Sequence, residues 1–131
     1  MKNSHWSLIV LRVAAVLASL LAIFQMFSGF GWAGPWAWHG RSGELGFVLA
    51  LVAAVGAFVW SRRSGNKGLF MHAAGMAVIG LVQMALGYMS VTLVHQSIGV
   101  FYLLGIVALA TLSFRKPGAE LTRTEPSAVQ R

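Results

Sequence analysis

The sequence predicts an all-α membrane protein: four transmembrane helices in an up-and-down bundle, built from a duplicated two-helix unit, with both termini cytoplasmic. Three observations predict it. Of the 131 residues, 57% are apolar and only 10% charged, whereas a water-soluble domain carries roughly a quarter charged residues. The runs from Val13 to Gly40 and from Gly68 to Phe114 contain no Asp, Glu, Lys or Arg; a span needs about 20 apolar residues, so the second run holds two. Finally, Gln25-Met26-Phe27-Ser28-Gly29 and Gln83-Met84-Ala85-Leu86-Gly87 both read Q-M-x-x-G, and each is followed by H-x-x-x-G, at His39 to Gly43 and His95 to Gly99. The same two matches in the same order indicate a repeated helical hairpin.

Turn residues set the bounds of each element. The first span runs over about 8–30 and ends at Gly31-Trp32-Ala33-Gly34-Pro35; it is too long for a cleaved signal sequence and its Q-M-x-x-G recurs in the third span. The second runs over 39–60 and ends at Arg62-Arg63-Ser64-Gly65-Asn66-Lys67. The third covers 69–90, a short Ser90-to-Val94 link follows, and the fourth covers 95–114. Residues 1–116 thus form the bundle, and 117–131, with Gly, Pro, Ser, Thr and scattered charge, read as a disordered cytoplasmic tail.

Orientation follows from the cations. Lys2, Arg12, Arg62, Arg63, Lys67, Arg115, Lys116, Arg123 and Arg131 fall on one side and Arg41 alone on the other, which by the positive-inside rule puts both termini in the cytoplasm. The net charge of +7 then reflects basic loops beside the anionic headgroups of the lipid bilayer, and no nucleic-acid partner is expected.

Composition also excludes chemistry. There is no Cys, so disulfides, Fe–S clusters, thiolate zinc sites and covalent C-x-x-C-H haem attachment are ruled out. The only carboxylates are Glu44, Glu120 and Glu125, which removes paired-carboxylate and Ser-His-Asp mechanisms.

His39 and His95 each open a helix on the same side of the membrane. In an up-and-down bundle the second and fourth helices are diagonal, so the two rings face each other across the centre at equal depth. Gly43 and Gly99, one turn deeper on the same face, leave room for a flat ligand. Two imidazoles flanking a glycine-relieved slot suit one bis-His haem b; calcium, magnesium and zinc want more donors than are present. Gln25 and Gln83 lie at comparable depth, either as interhelical hydrogen-bonding groups or as polar groups under the haem. Arg41 is placed to pair with a haem propionate or to sit among headgroups, the former preferred. Tyr102, two turns deeper than His95, reaches the pocket wall. Glu44 serves in proton handling or an interhelical contact. Trp32, Trp36 and Trp38 form an interfacial belt, a lid over the haem edge or a partner contact. His5 and His72 lack the H-x-x-x-G context and read as structural, a second haem between them being the lesser alternative.

The alternation of a Q-x-x-x-G helix with a helix opening on His resembles one four-helix half of haem A synthase, over about residues 8–114, and is similar to small four-span bacterial membrane proteins. The resemblance implies haem between the second and fourth spans through His39 and His95, in a bacterial inner (plasma) membrane. Haem A synthase has two such halves and a Glu three residues before the His of its second helix, where this chain has Trp36. The expectation is therefore a haem b protein that transfers electrons near the extracytoplasmic face, from quinol or within a larger membrane redox complex. The alternatives are a haem-free structural or assembly subunit and a haem A synthase-like enzyme.

Overall fold

A computed structural model describes residues 5–121, and four helices account for nearly all of them. They are α1 (Trp6–Gly29), α2 (Trp36–Ser64), α3 (Lys67–Tyr88) and α4 (Thr92–Arg115), and each is long and apolar enough to cross a membrane. In hydrocarbon every backbone N–H and C=O must be bonded internally, and a chain this apolar meets that demand by helix formation. Each helix packs on the two beside it, α1 on α2 and α4, α3 on α2 and α4, which leaves α1/α3 and α2/α4 as the diagonals of an up-and-down bundle.

The helices depart from the sequence-predicted spans at their ends. The second starts at Trp36 rather than 39 because Pro35, in extended backbone (φ −63°, ψ 149°), leads straight into the first turn; it continues to Ser64, where Gly65 adopts a left-handed conformation (φ 71°). The fourth starts at Thr92 rather than 95. Its short connection exists because α1 and α3 end in the same turn: Gly31 N–H donates to Ser28 O and Trp32 N–H to Phe27 O, as Ser90 N–H donates to Gly87 O and Val91 N–H to Leu86 O. Such a turn needs a left-handed residue. Gly31 supplies it at φ 76°, and Ser90 does so at φ 57° with a side chain attached.

The core occupies one half of the bundle, the end that carries the chain termini and the α2–α3 turn. Small residues dominate it: Ala14, Ala15, Ala18, Ala50, Ala53, Ala57 and Ala73 are buried around Leu11, Ile106 and Leu109. Lipid tails are as apolar as leucine, so helix association in a bilayer relies on close backbone approach, which small residues permit. The closest approach is at Gly56, where a Cβ would lie 2.9 Å from Leu11 N and 3.0 Å from Ser7 O. Arg12, inside α1, is held by donating from Nε to Ser113 O (3.1 Å) with its guanidinium over the Phe114 ring. Towards the other end burial runs out: the buried residues of α3 stop at Gly80, those of α4 begin at Ile106, and those of α2 begin at Gly46.

The start of the tail, expected to be disordered, is held against the termini end. Trp60 Nε1 donates to Pro117 O (2.6 Å), Asn66 Nδ2 to Lys116 O (3.0 Å), and Leu121 N–H to Arg63 O (2.8 Å). The physical reason is that a buried indole N–H must find an acceptor and the chain leaving α4 provides one. Residues 122–131, the rest of the expected disordered tail, lie outside the described residues.

The Gly56 contact generates a prediction. Gly56→Ala puts a methyl group against backbone that cannot rotate away, so the bundle is expected to lose about 1–3 kcal/mol, the usual cost of overpacking. Gly75→Ala, whose Cβ meets nothing within 4 Å, is the control. Thermal unfolding in detergent checks it, and equal midpoints for the two variants would show that the α1–α2 backbones are not in contact.

Candidate functional site between the two histidines

His39 and His95 are the fourth residues of α2 and α4. Both helices begin before the positions expected from sequence, so each ring sits about one turn inside its helix rather than at its mouth, roughly 4.5 Å deeper at 1.5 Å per residue. Across the bundle diagonal the rings meet with centroids 5.9 Å apart and planes at 75°.

Hydrogen bonds engage one nitrogen of each ring. His39 Nδ1 lies 3.1 Å from Ser28 Oγ. Ser28 Oγ also lies 3.2 Å from Gln25 O, and its hydroxyl can donate to that carbonyl while accepting from His39 Nδ1, or donate to Nδ1 itself. His95 Nδ1 lies 3.0 Å from Gln83 O; a carbonyl only accepts, so this Nδ1 is protonated. In both rings Nδ1 is the nitrogen engaged, and no hydrogen bond among the described residues engages either Nε2. Metal-ligating histidines are commonly oriented in this way, with the second nitrogen donating to a carbonyl or hydroxyl.

The glycines of both motifs acquire a shared explanation. A Cβ on Gly29 would lie 2.9 Å from His39 Cε1, and one on Gly87 would lie 3.3 Å from His95 Cε1; a Cβ on Gly43 would lie 3.3 Å from Gln25 Oε1, and one on Gly99 would lie 2.8 Å from Gln83 Nε2. Each motif's glycine thus makes room for the other motif's polar side chain. A glutamine thus lies over each of Gly43 and Gly99, and both glycines also line the space around the rings. Gln25 also donates from Nε2 to His39 O and to Ser42 Oγ, tying α1 to the first turns of α2.

Around the rings lies a cavity of about 410 Å³, lined by all the sequence-predicted site residues except Arg41. Arg41 is exposed, because residues two apart on a helix do not share a face; it does not join the site. The floor carries two buried polar atoms with no partner among the described residues, Gln83 Oε1 and the Tyr102 hydroxyl. At the rim, the Tyr88 hydroxyl donates to Glu44 Oε1 at 2.5 Å, bridging α3 to α2. Both α2 and α4 begin at this end, at Pro35 and Val91, without a side-chain cap, so the positive ends of two helix dipoles flank the cavity and favour anionic groups.

The sequence reasoning missed Ser28 and Tyr88, and it named Trp36 only as part of the outer Trp loop. Trp36, read as loop, is the first residue of α2 and stacks on His39 with centroids 5.1 Å apart; Trp32 and Trp38 do not line the cavity. Ser28 stood inside the first Q-M-x-x-G but the second has Leu86 there, so the repeat did not single it out. Tyr88 stood next to a helix end and had no motif to mark it. His5 and His72 are engaged elsewhere. His5 accepts from Ser7 N–H (3.3 Å) at the start of α1, beside Trp60, and His72 Nε2 lies 2.9 Å from the α4 carbonyl of Gly105. Among the described residues no group of three or more His, Asp or Glu is arranged to hold a metal ion, so the pair His39/His95 stands by itself.

No protein-family model, curated protein or solved structure matches the chain. The site is therefore read from its own chemistry.

The tautomer assignment is testable by nitrogen NMR of histidine-labelled protein without added haem. His95 is expected to show a protonated Nδ1 and a bare Nε2. Ser28→Ala, which removes a hydrogen bond worth about 0.5–1.5 kcal/mol, should change the His39 signals and leave those of His95. Protonation on Nε2 of His95 in the unsubstituted protein would contradict the assignment.

Proposed function

We propose that this chain is an integral membrane protein that binds one haem b between His39 and His95 and serves electron transfer near the extracytoplasmic face, alone or as an accessory subunit of a respiratory or oxidoreductase complex. The observation that carries this reading is the pair of imidazoles from diagonal helices whose rings meet in one cavity. Two imidazoles on opposite sides of one metal, with metal–nitrogen distances of about 2.0 Å, have ring centroids roughly 6 Å apart; the rings here are separated by 5.9 Å. A cavity of about 410 Å³ lies within the usual range for ligand sites, about 300–1,000 Å³. Gln83 Oε1 and the Tyr102 hydroxyl are further support, since buried polar atoms without partners are uncommon in a site complete by itself.

Haem supplies reversible one-electron chemistry when bound. The chain's own residues hold and surround it. His39 and His95 offer neutral nitrogens, Ser28 Oγ and Gln83 O hold their orientation, and Trp36 covers one face of His39. The uncapped starts of α2 and α4 take the place expected of Arg41 as partners for the propionates. With His39 and His95 both holding the group, no position would be left open for substrate, which favours electron transfer over the oxygen chemistry of a haem A synthase-like enzyme.

The same reading includes a duplicated two-helix origin and cytoplasmic termini in a bacterial inner membrane. The equivalent Gln–Gly and Gly–His contacts of the two hairpins and the matching turns after α1 and α3 support the first. Clustering of Arg62, Arg63, Lys67, Arg115 and Lys116 at the termini end supports the second.

Purified protein is expected to show the reduced-minus-oxidised spectrum of low-spin bis-His haem b. His39→Ala and His95→Ala should each abolish that signature, while His5→Ala and His72→Ala retain it and Arg41→Gln leaves the midpoint potential unchanged. Full haem retention in both of the first two variants would remove the ligand assignment, and a haem-free protein would leave the structural-subunit reading.

A further inference from the structure

Glu44 is a carboxylate inside a membrane-spanning helix, and neither the core nor the histidine pair uses it. It is the ninth residue of α2, exposed, and bonded to the hydroxyl of Tyr88, the last residue of α3. Ionisable side chains in spans are costly and are usually kept for a task. One hydrogen bond from a tyrosine that is itself 70% exposed is weak compensation, so the pair does not read as a structural clamp.

The chemistry of the pair and of its surroundings is specific. Glu44 supplies a hydrogen-bond acceptor and Tyr88 a hydroxyl that donates or accepts. Both line the cavity that holds His39 and His95, and so do Trp36 and Phe47, flat surfaces on which an aromatic ring can rest. Next to the pair, the surface is apolar: Leu45 and Val48 on α2 and Met89 beyond α3 are exposed. The pair offers an acceptor and a hydroxyl rather than a cation, Arg41 lying outside the cavity lining, which suits a ligand with uncharged hydroxyl or carbonyl groups at this edge.

We propose that Glu44 and Tyr88 form a binding site for the ring of a lipid-soluble quinone or hydroquinone, with its isoprenoid tail in the bilayer. A hydroquinone O–H donates to the Glu44 carboxylate, and a quinone carbonyl accepts from the Tyr88 hydroxyl. The ring enters the rim of the cavity between α2 and α3, on the same side of the bundle as the histidine pair. The inference rests on the electron-transfer reading for the redox purpose of such a ligand, while the site itself is built from residues that do not touch the haem ligands' hydrogen bonds.

The test uses the full chain in detergent, with the quinol analogue 2-heptyl-4-hydroxyquinoline N-oxide as a fluorescent probe, decylubiquinone as competitor, and haem content measured on the same samples. The probe is expected to bind with quenching and to be displaced by decylubiquinone. Glu44→Gln and Tyr88→Phe should each weaken probe binding at least tenfold with haem content unchanged, and Arg41→Gln should have no effect. Helical content by circular dichroism guards against misfolding, and Tyr88→Phe carries the result if Glu44→Gln fails to fold. No binding to the unsubstituted protein, or equal binding by both variants, overturns the site. Probe binding that depends on Glu44 and Tyr88 in a haem-free protein supports the quinone site while ending the haem reading; haem without probe binding does the reverse.

Discussion

The close approach of α1 and α2 at Gly56 is the contact on which the rest of the molecule depends. In a bilayer no hydrophobic force drives one apolar helix onto another, and the bundle coheres where backbones come near enough for dispersion contacts to accumulate. Gly56 and the alanines of α1 and α2 bring that about in the half that carries the termini. The opposite half has glutamines and imidazoles between its helices. Side chains of that size hold the helices apart, and the cavity is the consequence of one end being packed by small residues and the other by large polar ones.

Polar groups in the open half are arranged around the needs of the two rings. Ser28 Oγ engages Nδ1 of His39, and Gln83 O, which can only accept, engages Nδ1 of His95. The two hairpins reach one outcome, a hydrogen-bonded Nδ1 and a free Nε2, by different partners. An imidazole whose Nδ1 is held by the fold is prepared for a ligand on its other nitrogen, whereas an interfacial histidine in water would sample both tautomers. His72, whose Nε2 is spent on Gly105 O, illustrates the contrast within one chain.

Much of the fold was legible in the sequence because membrane insertion is a composition problem. Long uncharged runs, the loops Gly31 to Pro35 and Arg62 to Lys67, and the separation of Arg41 from the other cations are properties of the chain, independent of how helices face one another. The pairing of His39 with His95 was legible too, since short loops impose neighbours and diagonals on four spans. The contacts of Gly43 and Gly99 were not legible, because a glycine in a helix records only that something lies close, and the sequence does not say that a glutamine from the neighbouring helix lies over each.

By itself, then, the sequence determined the helical class, the number of spans and the two histidines that meet, because hydrophobic length and connectivity act along the chain and short loops leave few arrangements. Tertiary structure alone decided the hydrogen-bond partners of the rings, the position of Arg41 outside the cavity lining, the stacking of Trp36 and the bond between Tyr88 and Glu44. Each of these depends on the rotation of one helix against another. Around these helices apolar residues face lipid as readily as core, so no hydrophobic periodicity records that rotation, and only the packing of Gly29, Gly56 and Gly87 against specific neighbours fixes it.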